Sequence, residues 1–527
     1  MKNESSLYPA ATEVLIIGAG AAGAYYAAQL ASAGKTVTVL ESGPAWELRD
    51  LYSSQIWARR LKWGGPAVER SGTHAIGHNM ATGWGLGGAA LHHYAGWPRL
   101  HENDFNLHSA YGRGLDWPIA YSDLRPYYDK IQTEIGVSGD SKAETWRPPA
   151  ADYPMPPMPN FPHSAIIARG FNKLGLHTAA TPAAINTTTY NDRPACIYDG
   201  WCDAGCPIQA LANPLVTHIP QARKAGAQFI TGVTVSRLLM DKKNRVSGAE
   251  YFDASGNVHN INATLVILAA SAIQNPRILL NSANNKFPNG LANRSGLVGH
   301  YFSCHSISSV YGIFTDETHN YLGVPTGQLI CQDHYDNKKQ KNSFGSYMWG
   351  IGTALKPNDI LGIAMTRPDL FGAKLHTFMQ QAAQHMGTMS SVNETLAQKD
   401  NRVELSKERD VFGIPRAHVV HSLHKDSANL WQTVNQQGLE IFKAAGSEQS
   451  WNGPLVTAHV LGGTIMGKDP RSSVTDSYGH THDIPNLIIA GGGLFPSVGA
   501  VSPTFSLYAL AARSVEHLLK NYRDYAS

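Results

Sequence analysis

Two hydrophobic patterns share this chain. Unbroken apolar runs at residues 14–17, 36–40 and 265–271 have the length and composition of strands buried on both faces, as in a parallel sheet. At 306–314 and 343–350 polar and aromatic residues alternate instead, and 402–406 also reads as a strand. Helices are expected at 21–33, from 121 onward, at 276–283, near 374–385 and at 426–445, with Ser122 or Asp123 capping the second. Residues 226–258 read as a β-meander with turns at 242–245 and 254–257. The prolines of 147–162 mark a connector, and 46–83, without clear periodicity, is expected to wander over the surface. The last stretch, 455–527, returns to strand, glycine turn and helix. The elements therefore predict an α/β nucleotide-type domain built from both ends of the chain, and an antiparallel sheet with covering helices at 303–454.

Composition narrows the class. Of 527 residues 43% are hydrophobic and 16% charged, which suits an enzyme with a large core. A net charge of +3 over that length argues against a nucleic-acid or acidic-membrane partner. Residues 484–512 carry no charge, yet Gly491, Gly492, Gly493, Pro496 and Pro503 would break a spanning helix and leave backbone groups unpaired in lipid. The first residues lack the apolar stretch of a signal peptide, so no export address is expected on the chain itself.

The stretch around which the chain is organised is 14–43. Its first apolar run is followed by Gly18, Gly20 and Gly23 in G-x-G-x-x-G spacing, then a helix, a second apolar run and Glu41. Gly18 permits the turn, Gly20 lets a pyrophosphate approach the backbone, Gly23 lets helix and strand pack, and Glu41 offers an acceptor to a ribose hydroxyl. The bland alternative is a βαβ unit whose glycines serve packing alone. The glycine-dense segment 83–93, ending in His92 and His93, implies backbone pressed against something large, or else a loop needing positive φ.

Cys196, Cys202 and Cys206, followed by Pro207, place three of the five cysteines within eleven residues. Short loop-borne spacings of this kind hold iron–sulfur clusters. Structural zinc would need a fourth ligand, for which His218 is near in sequence, and a clustered three cannot pair fully as disulfides. Cys304 and Cys331 read as isolated buried thiols.

Taken together, the fingerprint, Gly87-Gly88, the segment 271–280, His459-Val-Leu-Gly-Gly-Thr-Ile-Met-Gly467 and 485–490 resemble the glucose–methanol–choline (GMC) oxidoreductase family. The likeness runs over nearly the whole chain, and within the family it is nearest to catalytic subunits of bacterial sugar dehydrogenases of the glucose, gluconate, fructose and sorbitol type. That resemblance implies a Rossmann-like FAD-binding domain (1–155, 210–302 and 455–527) interleaved with an antiparallel-sheet substrate domain (303–454). A connector with the cluster segment lies at 156–209. It implies FAD, with Gly87 and Gly88 beside the flavin ring, Gly492 near the ribityl chain and Val235 near adenine. His92 would be either bonded covalently to the flavin or simply lining the site. It also implies a [3Fe–4S] cluster on Cys196, Cys202 and Cys206.

In the family's pattern His459 is the general base, for a hydride leaves carbon only if the hydroxyl proton leaves too. Two positions depart from the pattern. Ala458 stands where related enzymes often have asparagine, and Ser502 stands where asparagine or a second histidine is usual. Serine can still bond a substrate hydroxyl, with shorter reach. The activity implied is oxidation of a sugar hydroxyl, at C1 or C3, with electrons passed to a partner. An O₂-using oxidase and a flavoprotein with a lyase-like or non-redox role are the alternatives. Related subunits travel with a small accessory subunit and donate to a membrane cytochrome, implying the periplasmic face of the inner membrane through a partner. A cytoplasmic enzyme is the alternative.

Overall fold

The computed structural model describes residues 8–77, 83–339 and 342–526. Its organising unit is β1 (Ala11–Ile17), α1 (Ala21–Ser32) and β2 (Val37–Glu41), with β1 and β2 parallel and Ile17 opposite Leu40. Val14, Leu15 and Ile16 are wholly buried, as the unbroken apolar run requires. α1 is made almost entirely of small residues and tyrosines and is buried over most of its length. It lies against the sheet on one side and against Thr504–Lys520 and His218–Lys224 on the other. A Cβ at Gly23 would stand 1.9 Å from the Gly18 carbonyl oxygen, so the approach of helix to turn admits only glycine.

The first sheet has the order Gln228–Thr231, β2, β1, Val258–Leu268, Val246–Phe252, Thr234–Met240. Its first four strands are parallel, and the last three form the predicted antiparallel meander. The eleven-residue strand Val258–Leu268 serves two partners on one edge. Its first half pairs with Val246–Phe252, and its second half pairs in parallel with Leu487–Ile489, Leu268 standing opposite Ile489.

The second sheet is antiparallel in the order Gln449–Asn452, Ser303–Ile313, Met386–Asn393, Tyr347–Ile351, Leu329–Cys331, Ala179–Ala180. Helices Pro162–Lys173 and Lys425–Ala445 pack together over it, burying Val310, Trp349, Leu430 and Phe442. Gly438 makes room for this contact, because a Cβ there would meet Val310 at 2.5 Å. Val456–Leu461 joins the first half of Ser303–Ile313 and brings this sheet up to the nucleotide-type half.

Several local expectations are corrected. Residues 46–83 hold a helix, Gln55–Trp63, which buries only Trp57, Ala58 and Leu61 and so shows little periodicity. They also hold a strand, Glu69–Ser71, which joins Arg402–Arg409 and Pro415–Val420 in a third sheet. The helix expected at 276–283 spans Ser271–Asn281, with Pro276 inside it. Helix Tyr121–Ile135 is capped neither by Ser122 nor by Asp123 at the N-cap position. Asp123 sits one turn in and accepts from the Ala120 N–H at 2.9 Å.

Candidate functional site

The first half of the site is a cradle of backbone. Gly18 takes φ +102°, and α1 starts from Gly20 with no side-chain cap and no acid in its first turn. Its first N–H groups are therefore left for an outside acceptor. The second glycine loop lies directly against the first, the Gly87 N–H donating to the Ala19 carbonyl at 3.0 Å. A Cβ on Gly88 would stand 2.9 Å from Gly20 Cα. Glu41 joins the two loops: its carboxylate accepts from the N–H groups of Ala19 (2.9 Å), Gly43 (2.9 Å) and Gly85 (3.1 Å). Burial raises its pKa, and the three N–H bonds pull it back. The sequence reading assigned Glu41 to a ribose and missed this clamp, which depends on a loop over forty residues away. The N–H groups of Gly232 and Val233 bond to the carbonyls of Gly43 and Glu41, which brings buried Val235 to the end of β2.

His92 lies beyond the short turn Gly88–Leu91, buried, with its Nε2 unpartnered among the described residues. Burial first, and Lys62 second, drive its pKa down to about 3. His93 bonds to the Ala212 carbonyl at 2.8 Å. An uncapped helix start, two interlocked glycine loops and an orphaned buried imidazole fit a large ligand of FAD's shape and charge.

The second half is built on Val456–Leu461. Ala458 pairs with His305 and Leu461 with Ser303, so one extra residue stands on this strand, a β-bulge at His459 and Val460. His459 has φ +61°, a left-handed conformation costing a non-glycine residue roughly 1–3 kcal/mol. The bulge turns the ring out of the strand's alternation, and His459 Nδ1 meets His305 Nδ1 at 3.0 Å. His305 is fully buried, and its Nε2 lies 3.2 Å from the carbonyl oxygens of both Val498 and Gly499. Burial, and then His305, hold the half-buried His459 well below the ordinary histidine value. The segment beyond His459 runs along the glycine turn, with Gly462 and Thr464 donating to the carbonyls of Gly492 and Gly493. Ser502 stands half-buried three residues after Gly499.

The 498–502 turn is held by a buried ionic cluster that sequence reading did not find. Lys338 Nζ bonds to Asp104 (2.8 Å), Ser346 (2.7 Å) and Glu394 (3.0 Å), all within the core. Asp104 also accepts from the Tyr335 hydroxyl, which in turn accepts from the Ala500 N–H at 2.9 Å. No sequence signal distinguishes Lys338 or His305 from other lysines and strand residues.

The cysteines form a third feature. Cys196, Cys202 and Cys206 are free. Sγ of Cys196 accepts from the Tyr198 N–H and Sγ of Cys206 from the Leu211 N–H, each at 3.3 Å. Cys206 and Tyr198 both take positive φ, so the loop is bent around its sulfurs. Lys62 pairs with Asp203 at 2.5 Å, Lys356 Nζ bonds to the Asp199 carbonyl, and Arg193 is close to Cys206. Burial pushes all three thiols up, Cys196 to about 12. Among the described residues no group of three or more His, Cys, Asp or Glu is arranged to hold a metal ion. His218, the fourth ligand a zinc site would need, is engaged elsewhere, with its Nε2 toward Glu134 and its ring against Tyr25. Cys304 and Cys331 are buried free thiols, as expected, Cys304 Sγ lying 3.4 Å from His421 Nε2. Helix Gln55–Trp63 packs against both the cysteine turn Cys202–Ala204 and the glycine turn Gly88–Leu91. No helix among the described residues is long and apolar enough to cross a membrane.

Family models described as GMC oxidoreductase match residues 12–307 and 397–511. The fructose dehydrogenase large subunit of Gluconobacter japonicus is 29% identical, over 97% of this chain and 98% of its own length. The gluconate 2-dehydrogenase flavoprotein of Pantoea cypripedii is 23% identical, over 97% and 94%. Among solved structures, pyridoxine 4-oxidase from Mesorbium loti superposes with a TM-score of 0.68 at 15% identity, covering 97% of this chain and 99% of that one, a likeness of fold.

Proposed function

The chain belongs to the GMC oxidoreductase family and is an FAD-dependent oxidoreductase acting on CH–OH groups; within it, we propose a dehydrogenase of a sugar or sugar derivative that passes its electrons through an iron–sulfur cluster to a partner. The observation that carries the chemistry is His459. It is turned out of its strand by a bulge, joined through Nδ1 to the buried His305, and set beside the glycine turn.

In this reading residues 1–155, 210–302 and 455–527 hold the cofactor, and 303–454 shape the substrate side. Gly18, Gly20, Gly23 and the open start of α1 hold the pyrophosphate, Glu41 a ribose, and Val235 the adenine. Gly87 and Gly88 lie along the ring and Gly492 along the ribityl chain. The free Nε2 of His92 either lines the ring or bonds to it. Bound FAD supplies the acceptor for a hydride. His459 takes the proton of the hydroxyl being oxidised, and Ser502 orients that hydroxyl by a hydrogen bond. Oxidation at C1 gives a lactone and at C3 a keto-sugar.

Cys196, Cys202 and Cys206 are assigned a [3Fe–4S] cluster. Burial raises the free thiols, so the thiolate form depends on the bound cluster itself, with two N–H···S bonds and the nearby Lys62, Lys356 and Arg193 offsetting part of that cost. Helix Gln55–Trp63 contacts both the cysteine turn and the glycine turn, so a cluster and a flavin ring held as proposed would lie near each other. The fructose dehydrogenase relative is named as a large subunit, which supports a small accessory subunit as a partner; a cytochrome acceptor and a place at the periplasmic face of the inner membrane complete the proposal.

A panel of aldoses, glycosides and polyols, assayed with a one-electron dye and separately with O₂, tests the proposal. Fast dye reduction with one class of sugar and slow peroxide formation are expected. Comparable rates with dye and O₂ would mean an oxidase.

A further inference from the structure

The contact between His459 and His305 joins the same atom of two rings, Nδ1 to Nδ1 at 3.0 Å. Only one of the two can donate. The other end of His305 decides which. Its Nε2 has two carbonyl oxygens, of Val498 and Gly499, at 3.2 Å and no acceptor role toward either, so Nε2 carries the proton. A neutral imidazole has one N–H, which leaves His305 Nδ1 as a bare acceptor. Full burial of His305, which lowers its pKa to about 4, keeps it neutral. The hydrogen at the contact therefore belongs to His459 Nδ1. His459 Nε2 has no partner among the described residues and carries the free lone pair.

We infer that His305 is a positioning residue that fixes the tautomer of His459, holding its proton on Nδ1 so that Nε2 alone serves as the base. The inference rests on the reading of His459 as proton acceptor. In the reaction the substrate O–H bond breaks and an N–H bond forms at Nε2, while the hydride leaves carbon with its electron pair for the flavin. The positive charge left on His459 is met at once by the Nδ1 lone pair of His305, whose own N–H is anchored on two backbone carbonyls. With the other tautomer, Nε2 would present a hydrogen to the hydroxyl and could not accept its proton.

Two variants separate positioning from packing. His305→Leu removes the acceptor, and His305→Asn restores a carbonyl oxygen at the position of Nδ1. With the most active sugar of the panel, His305→Leu is expected to lower kcat about 10²-fold with KM within about threefold and flavin content unchanged. It should also raise the solvent deuterium isotope effect on flavin reduction. His305→Asn should recover most of the loss. In protein labelled with ¹⁵N-histidine, the His459 signals, identified by their absence in His459→Ala, should show a protonated Nδ1 and an unprotonated Nε2. That preference should be lost in His305→Leu. A His305→Leu enzyme at parental rate, equal loss of flavin and activity in both variants, or a protonated Nε2 in the parent would overturn the inference. If His459→Ala itself runs at the parental rate, it is the base assignment that fails. A crippled His459→Ala beside an unaffected His305→Leu would sink the role of His305 alone.

Discussion

Replacing His459 by alanine is expected to lower kcat by about 10²–10⁴-fold, the range a positioned base supplies, with flavin still bound. Ser502→Ala removes one neutral hydrogen bond, roughly 0.5–1.5 kcal/mol, and should cost about tenfold or less. Steady-state kinetics with a flavin occupancy check compares the two, and equal large losses would give Ser502 a share of the proton transfer. Because burial holds His459 below its ordinary value, kcat/KM should show no acid limb near pH 6.5, about where an unperturbed histidine titrates. A limb there would place the base elsewhere. Lys338→Met would strand the buried carboxylates of Asp104 and Glu394 and should cost about 3–5 kcal/mol in denaturant unfolding. At this scale the sequence was half legible. The glycines, His459 and the cysteines stand in local spacings that imply their tasks. His305, Lys338 and the loop-joining work of Glu41 arise from contacts between distant segments, and no spacing announces them.

At the scale of elements, the tight joint between α1 and its turn is the sharpest constraint. Gly23→Ala would drive a Cβ into the Gly18 carbonyl, and the helix must move away from the sheet. A stability loss of about 1–3 kcal/mol and release of FAD are expected, read by thermal unfolding and by flavin in the filtrate. Elements whose own pattern is strong were legible: β1, α1, β2, the meander and the long helix Lys425–Ala445. Helix Gln55–Trp63 was not, since it buries one short face against the cysteine turn and leaves Ile56 exposed. The bulge at His459 was also hidden, because it exists only as a mismatch of register between two strands far apart in sequence.

For the whole molecule, buried neutral histidines set the acid limit of stability. Burial lowers His163 to about 3 and His305 to about 4. The unfolded chain takes up protons at about 6.5 that the folded one refuses until far lower. Their contribution is complete above about pH 6.5 and is lost as pH falls toward 4. Melting temperature should therefore drop steeply between pH 6.5 and 4.5, and a flat profile would mean that these rings are not buried neutral. If the cysteines hold a cluster, protein purified without air should contain about three irons per flavin and give an oxidised-cluster EPR signal. Flavin without iron would remove the relay.

The divided strand Val258–Leu268 has a consequence for how the protein is made. Its second half finds Leu487–Ile489 only after roughly 220 further residues have been synthesised. At about 5–20 residues per second a ribosome needs about 10–40 s to supply them. Until then Leu265, Val266, Ile267 and Leu268 present one unpaired edge, rich in apolar side chains and open to pairing with another chain. The fingerprint emerges first, yet its sheet is among the last parts to be closed. Shielding of that edge by a chaperone during the interval should raise the yield of folded protein, and a chain truncated before Leu487 should aggregate rather than bind flavin.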